Sequence, residues 1–250
     1  MSTTYLYTFT SIIIISLLSL IGVITLLLSK DKIKKITTFL VSFSAGTLLG
    51  GAALHLLPEI IEKEGNKLII WLCLLIGIIT FFILEKIIHW RHCHIMNCDQ
   101  HPHPLGAMSL AGDSLHNFID GMVIAGSFLL SIPLGIATSL AVIAHEIPQE
   151  IADFGVLIHD GYKRSKALFY NFLISLTAIL GAAISLFIGI QLENFSIFII
   201  PFAAGGFIYI ATADLIPELK KDTGAIKSLG QLFSIIAGIG IMLVLKFLFE

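Results

Sequence analysis

Charge is the scarcest feature of this sequence. Asp, Glu, Lys and Arg make up 13% of the 250 residues, whereas 56% are hydrophobic. A soluble domain carries about 25% charged residues, so the composition excludes a soluble globular protein. It predicts a single membrane domain over residues 1–250 with several spans and no soluble domain.

Other absences exclude further classes. Three cysteines do not suggest a disulfide framework. There is no basic patch with interleaved aromatic residues, so no nucleic-acid partner is predicted. No G-x-x-x-x-G-K-[ST] run occurs, so an ATP-driven pump is not predicted. The first apolar run lacks a basic region before it, which predicts a retained helix and not a cleaved signal.

Eight apolar segments each approach the ~20 residues that a membrane-spanning helix needs. They cover residues 5–28, 36–60, 68–90, 105–130, 133–158, 167–192, 197–219 and 225–249. Twelve of the fifteen Lys and Arg residues lie in or beside the loops after segments 1, 3, 5 and 7. Those loops are therefore predicted to be cytoplasmic and both termini extracytoplasmic, in a cell (inner or plasma) membrane.

An internal repeat relates two distant stretches. Residues 43–59 (FSAGTLLGGAALHLLPE) match residues 202–218 (FAAGGFIYIATADLIPE) without a gap at an offset of 159. In the eight-helix topology the two stretches run in opposite directions, as do helices 4 and 5, whose polar residues match at an offset of 29. This predicts an all-α inverted-repeat bundle, a plan typical of secondary transporters. The alternative is chance recurrence of small residues and a Pro-Glu end.

Polar residues interrupt helices 4 and 5, at residues 116–121 (HNFIDG) and 145–153 (HEIPQEIAD). Ionisable groups in a span are costly and mark functional sites by default. His116 and Asp120 lie one helical turn apart, and His145 and Gln149 repeat that spacing. Imidazole and carboxylate suit zinc and related divalent metals. The predicted metal ligands are His116, Asn117, Asp120, His145, Glu146, Gln149 and Glu150. The alternative is that these are structural residues that form hydrogen bonds.

Pro148 lies inside helix 5 beside these ligands. It is expected to kink the helix and to free the Ala144 carbonyl for metal or water. A further set of polar residues either lines the ion path or bonds across helices: His55, Asp113, Asp153, Asn171 and Asp214.

The loop between helices 3 and 4, about residues 89–104, is rich in His and Cys. Such a tract can bind metal loosely. The two interpretations are a cytoplasmic metal-collecting loop and a polar connector without function. The residues concerned are His89, His92, Cys93, His94, Cys98, His101 and His103.

At these motifs the sequence resembles the ZIP (Zrt-, Irt-like) family of divalent metal transporters, and a prokaryotic-type member is expected. The resemblance covers essentially the whole chain. It rests on HLLPE at 55–59, HNFIDG at 116–121, HEIPQEIADF at 145–154, YNFLISLTAILGA at 170–182 and FAAGGFIYIATADLIPE at 202–218.

The resemblance implies eight helices in a 3+2+3 arrangement with a binuclear centre on helices 4 and 5. His116, Asp120, His145 and position 149 match its first metal position, and Asn117 and Glu146 match the second. Members carry zinc, iron, manganese or cadmium toward the cytoplasm, commonly as homodimers, and an elevator-like motion is one proposed mechanism. The metal is then substrate and not cofactor.

This chain departs from the family's common HEIPHE at Gln149. An amide there should weaken that position for zinc and shift preference somewhat toward iron or manganese. The expected function is metal transport, not enzymatic catalysis. The alternatives are an intramembrane zinc metalloprotease with a degenerate H-E-x-x-H, a metal-selective channel with the same ligands, and an exporter of the diffusion-facilitator type.

Overall fold

The chain is helical throughout the part that the structure describes. The computed structural model describes residues 2–26, 30–93, 105–192, 194–220 and 224–249, and these contain helices and no strand. The α-helices are α1 Ser2–Leu18, α2 Lys30–Gly50, α3 Leu57–Glu64, α4 Leu68–Cys93, α5 Leu105–Leu130, α6 Ile132–His159, α7 Arg164–Ser175, α8 Thr177–Gln191, α9 Phe195–Tyr209, α10 Ile216–Leu219 and α11 Ala225–Phe249.

Three short segments of other helix types extend or join these α-helices. A 3₁₀ helix, Ser19–Leu26, continues α1. A π-helix, Gly51–Leu56, joins α2 to α3, and a second, Ile210–Leu215, joins α9 to α10. The two π-helices have the same length and lie 159 residues apart, which is the offset of the sequence repeat. π-Helical turns are rare and frequently mark functional sites.

Six helical runs in the described residues are long and apolar enough to cross a membrane. They are Thr3–Val23, Lys35–Glu64, Leu68–Lys86, Arg164–Gly189, Phe195–Leu219 and Ala225–Leu248. The structure therefore confirms the prediction of an all-α membrane protein. The other two long helices, α5 and α6, have 26 and 28 residues and contain the two polar runs.

Close contacts between backbones hold the bundle together. α5 packs along α8 and α6, α2 along α11, and α4 along α9. A Cβ atom on Gly46 would lie 2.2 Å from the Ile235 carbonyl oxygen, and one on Gly205 would lie 2.1 Å from that of Leu74. Only glycine permits such an approach, as expected where small residues bring membrane helices together.

The α5–α6 pair lies inside this bundle. α5 also contacts α1, α8 and α9, and α6 also contacts α1 and α2. Consequently the polar residues of these two helices are enclosed: Asn117, Asp120, His145, Glu146 and Glu150 are each at most 2% exposed. The bundle thus buries a compact set of polar and ionisable groups.

Candidate metal centre

Four side chains from α5 and α6 converge on one point: His116, Asp120, His145 and Glu146. Each offers one nitrogen or oxygen atom, and these four atoms lie within 4.8 Å of one another. We call these four residues the metal centre. Two imidazoles and two carboxylates form a ligand set suited to zinc, and the two carboxylate charges match a divalent cation.

The separations between these atoms agree with tetrahedral coordination. His145 Nε2 lies 3.2 Å from His116 Nε2 and 3.1 Å from Asp120 Oδ2. Glu146 Oε1 lies 3.4 Å from His116 Nε2 and 3.6 Å from His145 Nε2, and the His116–Asp120 separation is 3.7 Å. With zinc–ligand distances of about 2.0–2.1 Å, a tetrahedron has edges of about 3.3 Å. These five of the six edges bracket that value.

Backbone hydrogen bonding orients one of the histidines. His145 Nδ1 lies 3.1 Å from the Ala141 carbonyl oxygen, one turn earlier on α6. Because a carbonyl can only accept, this hydrogen bond uses the tautomer with the proton on Nδ1. In that tautomer the Nε2 lone pair is directed at the centre, which is the arrangement that outer-shell partners impose on metal-binding histidines.

Pro148 affects the backbone next to two of the centre residues. α6 is a continuous helix through Pro148, which has no N–H to donate to the Ala144 carbonyl four residues earlier. The sequence predicted that metal or water would use this carbonyl. In the structure this carbonyl accepts a short hydrogen bond from the Ser44 hydroxyl of α2, and its use by metal or water stays a prediction.

A second polar network, which we call the Asp113 network, adjoins the metal centre. Asn117 Nδ2 donates to Asp113 Oδ1 at 2.8 Å, and Gln149 Nε2 lies 3.4 Å from the same oxygen. Asp113 Oδ2 and Asn117 Oδ1 are buried without a hydrogen-bond partner in the described residues. Leaving such atoms unpaired costs about 1–3 kcal/mol each, so they are candidate contacts for a cation.

The remaining polar residues of α6 pair with neighbouring helices. Glu150 Oε2 accepts a 3.0 Å hydrogen bond from Asn171 Nδ2 of α7. Asp153 Oδ1 accepts one of 2.8 Å from Ser109 of α5. Of the seven predicted ligands, four therefore form the centre, while Asn117, Gln149 and Glu150 contact other side chains.

A cavity of about 480 Å³ leads from the metal centre. It lies between α4, α5, α6, the last residue of α9 and the π-helix that follows α9. Three residues predicted for the ion path line it, namely Asp113, Asp153 and Asp214, together with His116 and Gln149 of the predicted ligand set. Two others lie elsewhere: Asn171 pairs with Glu150, and His55 Nε2 lies 2.8 Å from the Met242 carbonyl oxygen.

The structure does not describe most of the His- and Cys-rich loop. His94, Cys98, His101 and His103 lie outside the described residues, and for His89, His92 and Cys93 the description extends only to the backbone of α4. The auxiliary metal-binding role of this loop stays a prediction.

Sequence reasoning did not identify Ser44, Glu85 or Tyr209. The last two line the cavity and share a short hydrogen bond. One signal did point to Ser44, because the unpaired Ala144 carbonyl requires a donor. The sequence contains many Ser and Thr residues, however, and does not show which of their hydroxyl groups faces residue 144.

Fold and centre together define a class: a polytopic helical membrane protein with a cluster of His, Asp and Glu side chains of the kinds that bind metal, buried between two of its helices. The model of the ZIP zinc transporter family matches residues 3–107 and 98–246. The chain belongs to this family.

Curated relatives agree with this assignment. Zinc transporter zipt-7.2 of Caenorhabditis elegans is 40% identical over 139 residues, which cover 54% of this chain and 30% of the relative. Zinc transporter ZIP13 of Pongo abelii is 31% identical over 220 residues, covering 81% and 65%. The Drosophila melanogaster ZIP13 homolog is 29% identical over 280 residues, covering 86% and 79%. The first two relatives are thus matched over less than two thirds of their length. These are animal proteins, so the expectation of a prokaryotic-type member is not confirmed.

Proposed function

We propose that this protein is a secondary transporter that moves divalent transition-metal ions, with zinc as the principal substrate, toward the cytoplasm. The observation that carries the proposal is the metal centre, in which four ligand atoms lie within 4.8 Å of one another inside a membrane bundle. Burying two carboxylates away from water is expensive unless a cation compensates them. Membership of the ZIP zinc transporter family supports the same substrate class.

The proposed coordination begins with the metal centre and extends to the Asp113 network. His116, Asp120, His145 and Glu146 hold the first ion. Asn117, with its unpaired Oδ1, contributes to a second position, and Gln149 and Glu150 join it after exchanging their present partners. Iron, manganese and cadmium are further proposed substrates, because carboxylate and amide oxygens also suit harder divalent ions.

The proposed architecture is an eight-span, 3+2+3 bundle with an inverted repeat. Three observations support it, beginning with the two π-helices at an offset of 159. Secondly, Ser16 and Ser175, also 159 apart, each donate a hydroxyl hydrogen bond to the other's carbonyl, at 3.1 and 3.2 Å. Thirdly, two glycines 159 apart, Gly46 and Gly205, approach carbonyl oxygens of α11 and α4 at nearly equal distances. A two-fold axis in the membrane plane accounts for all three.

The proposed orientation places the cavity on the cytoplasmic side. The cavity lies where α4 and α6 end and α5 begins, next to two of the loops in which Lys and Arg are concentrated. In this orientation the cavity opens inward, and an ion would leave the centre past Asp113, Asp153 and Asp214. Both termini are extracytoplasmic in this orientation. Location in the cell membrane and homodimer formation remain predictions.

Two rival functions use the same residues. In a metalloprotease of the H-E-x-x-H type the Glu is a general base and the second His is a ligand. Here the position of the second His is Gln149, and Glu146 Oε1 belongs to the ligand cluster. A channel with the same ligands would conduct without saturation at low substrate concentration. The convergence of four ligand atoms favours a carrier, since tight binding opposes fast permeation.

Uptake of metal into proteoliposomes tests the proposal. Purified protein would be reconstituted, and zinc, cadmium, iron(II) and manganese uptake compared for wild type, His145→Ala and Asp120→Asn. We expect saturable uptake by wild type and uptake at the level of protein-free liposomes for both variants.

Glu62→Gln is the matched control, because it removes one carboxylate charge from an exposed position of α3. It should behave as wild type. Wild-type-like uptake by the two centre variants would contradict the proposed site, and absence of uptake for every metal would contradict the transport function.

A further inference from the structure

The turn of α6 that carries His145 and Glu146 lacks a normal helical hydrogen bond. The Ala144 carbonyl would ordinarily accept from the N–H of residue 148, but that residue is Pro148. This carbonyl belongs to the peptide unit that connects Ala144 to His145. The backbone next to two residues of the metal centre is therefore freer to tilt than the rest of the helix.

Ser44 of α2 supplies the missing donor. Its hydroxyl donates a short hydrogen bond to the Ala144 carbonyl, across 100 positions of sequence. Both residues are buried, with Ser44 fully enclosed and Ala144 8% exposed. In this apolar surrounding the carbonyl has little access to water as an alternative partner.

The Ser44 hydroxyl has a choice of acceptors, because the Leu40 carbonyl lies 2.7 Å away and the hydroxyl has one hydrogen. Leu40 is four residues before Ser44 within α2, so its carbonyl already receives the Ser44 backbone N–H. The Ala144 carbonyl has no such backbone donor. A hydrogen bond from the Ser44 hydroxyl is therefore more stabilising at the Ala144 carbonyl than at the Leu40 carbonyl.

We infer that Ser44 is a positioning residue for the metal centre: its hydroxyl replaces the hydrogen bond that Pro148 cannot make and fixes the backbone from which His145 and Glu146 project. The inference rests on the proposed metal-binding function. The physical reason is that the Ala144 carbonyl and the His145 N–H share one rigid peptide plane. Fixing its oxygen fixes the direction of the His145 and Glu146 side chains.

The neighbouring geometry makes this backbone important for ligand placement. His145 is held through Nδ1 by the Ala141 carbonyl at 3.1 Å, so the position of its Nε2 depends on the α6 backbone over this turn. Outer partners that orient ligands typically change metal affinity by about 10–100-fold when removed. Ser44 acts through one peptide unit, so we expect the lower end of that range.

The first test measures zinc binding to the purified full-length protein by competition with a fluorescent chelator. The fraction of binding abolished by His145→Ala defines the centre and separates it from binding by the His-rich loop. We expect Ser44→Ala to raise the zinc dissociation constant of the centre about tenfold, and to raise the KM of uptake in parallel while leaving the maximal rate within about twofold.

Ser42 provides a matched control on the same helix. It is also fully buried, and its hydroxyl donates to the Thr38 carbonyl within α2 at 2.7 Å. Ser42→Ala should leave the zinc dissociation constant unchanged. Ser44→Thr and Ser44→Val form a second pair of nearly equal shape, in which only Thr keeps the hydroxyl and should retain tighter binding.

The decisive experiment is a double-mutant cycle with Pro148. Pro148→Ala restores an N–H that can donate to the Ala144 carbonyl. In that background Ser44→Ala should raise the zinc dissociation constant less than about twofold, against about tenfold with Pro148 present. An equal cost in both backgrounds would overturn the inference. So would equal zinc binding by the Thr and Val variants, or a change in maximal rate without a change in binding.

The role of Ser44 can be tested separately from transport. Transport is tested by wild-type uptake, whereas the role of Ser44 is tested by zinc affinity. If the protein binds zinc in a Ser44-dependent way but carries none across the membrane, transport fails and this inference stands. If wild type carries zinc and Ser44→Ala binds it normally, the reverse holds.

Discussion

The metal centre and the Asp113 network lie side by side on the same two helices, yet they differ in state. In the centre, nitrogen and oxygen atoms face one another at 3.1–3.7 Å with the separations of a tetrahedral site. In the Asp113 network, Asn117 and Gln149 turn their amide nitrogens toward one carboxylate oxygen. The first region has the geometry expected of a cation site, whereas in the second the polar groups partly pair with one another.

Sequence spacing does not explain this difference. Asp113 and Asn117 are separated by four residues, as are His116 and Asp120. What distinguishes the regions is donor chemistry, because amide N–H₂ groups can neutralise a carboxylate locally. The two imidazoles and two carboxylates of the centre have fewer N–H donors with which to neutralise one another. An ion entering the Asp113 network must therefore replace hydrogen bonds that already exist.

The largest effect should follow from Glu146→Gln. This change keeps the shape of the side chain but removes one of the two charges of the centre. We expect the zinc dissociation constant to rise by at least about 100-fold, because a direct ligand should exceed the about 10–100-fold range of outer-shell partners. The measurement is chelator competition on purified protein.

Glu62→Gln again controls for loss of a carboxylate. Tight zinc binding by Glu146→Gln would break the distinction between the two regions and would revive the protease interpretation, in which this residue is a base and not a ligand.

An intermediate effect is expected from Gln149→His. An imidazole at this position replaces the amide that now lies 3.4 Å from Asp113 Oδ1, and it adds a nitrogen ligand next to the centre. We expect the ratio of zinc to manganese uptake to rise about tenfold, since imidazole prefers zinc over manganese. Competition between the two metals in proteoliposomes measures this ratio.

The surface substitution Gln191→His, at the exposed end of α8, controls for an added histidine. An unchanged metal ratio in Gln149→His would show that position 149 does not contribute to selectivity in this chain.

The smallest effect should come from Asp113→Asn. It removes the negative charge of the acceptor shared by Asn117 and Gln149 but leaves the four residues of the centre in place. We expect zinc affinity at the centre to change by less than about threefold, because no direct ligand is lost. The KM of uptake should rise moderately as the cavity loses one of its carboxylates.

Asp120→Asn is the matched variant, with the same chemical change on the same helix two turns away. If Asp113→Asn weakened binding as much as Asp120→Asn does, the two regions would form one site instead of two.

Much of the fold was predictable from local sequence signals. Hydrophobic run length predicted the helical segments, and six of them recur in the described residues as candidate spans. The repeat at an offset of 159 anticipated where the two π-helices fall. The π-helices themselves were not anticipated, because a single π-helical turn leaves no periodic pattern in the sequence.

Prediction of the site succeeded within a helix and failed between helices. The i, i+4 spacing on α5 brought His116 and Asp120 to one face, as helical periodicity requires. On α6 the same rule paired His145 with Gln149, but Glu146 is the residue that joins His145 in the cluster. The rotation of α6 against α5 decides between these two, and it is set by the packing of the whole bundle.

By itself, therefore, the sequence determined the membrane class, the positions of the helices and the kinds of ligand atom, because each depends on composition or on local geometry. Tertiary structure alone decided which ligands meet, that Asn117 and Gln149 turn to Asp113, and that Ser44 meets the carbonyl left unpaired by Pro148. Such contacts join residues up to 100 positions apart. They depend on how helices are rotated and offset against one another, which no local pattern encodes.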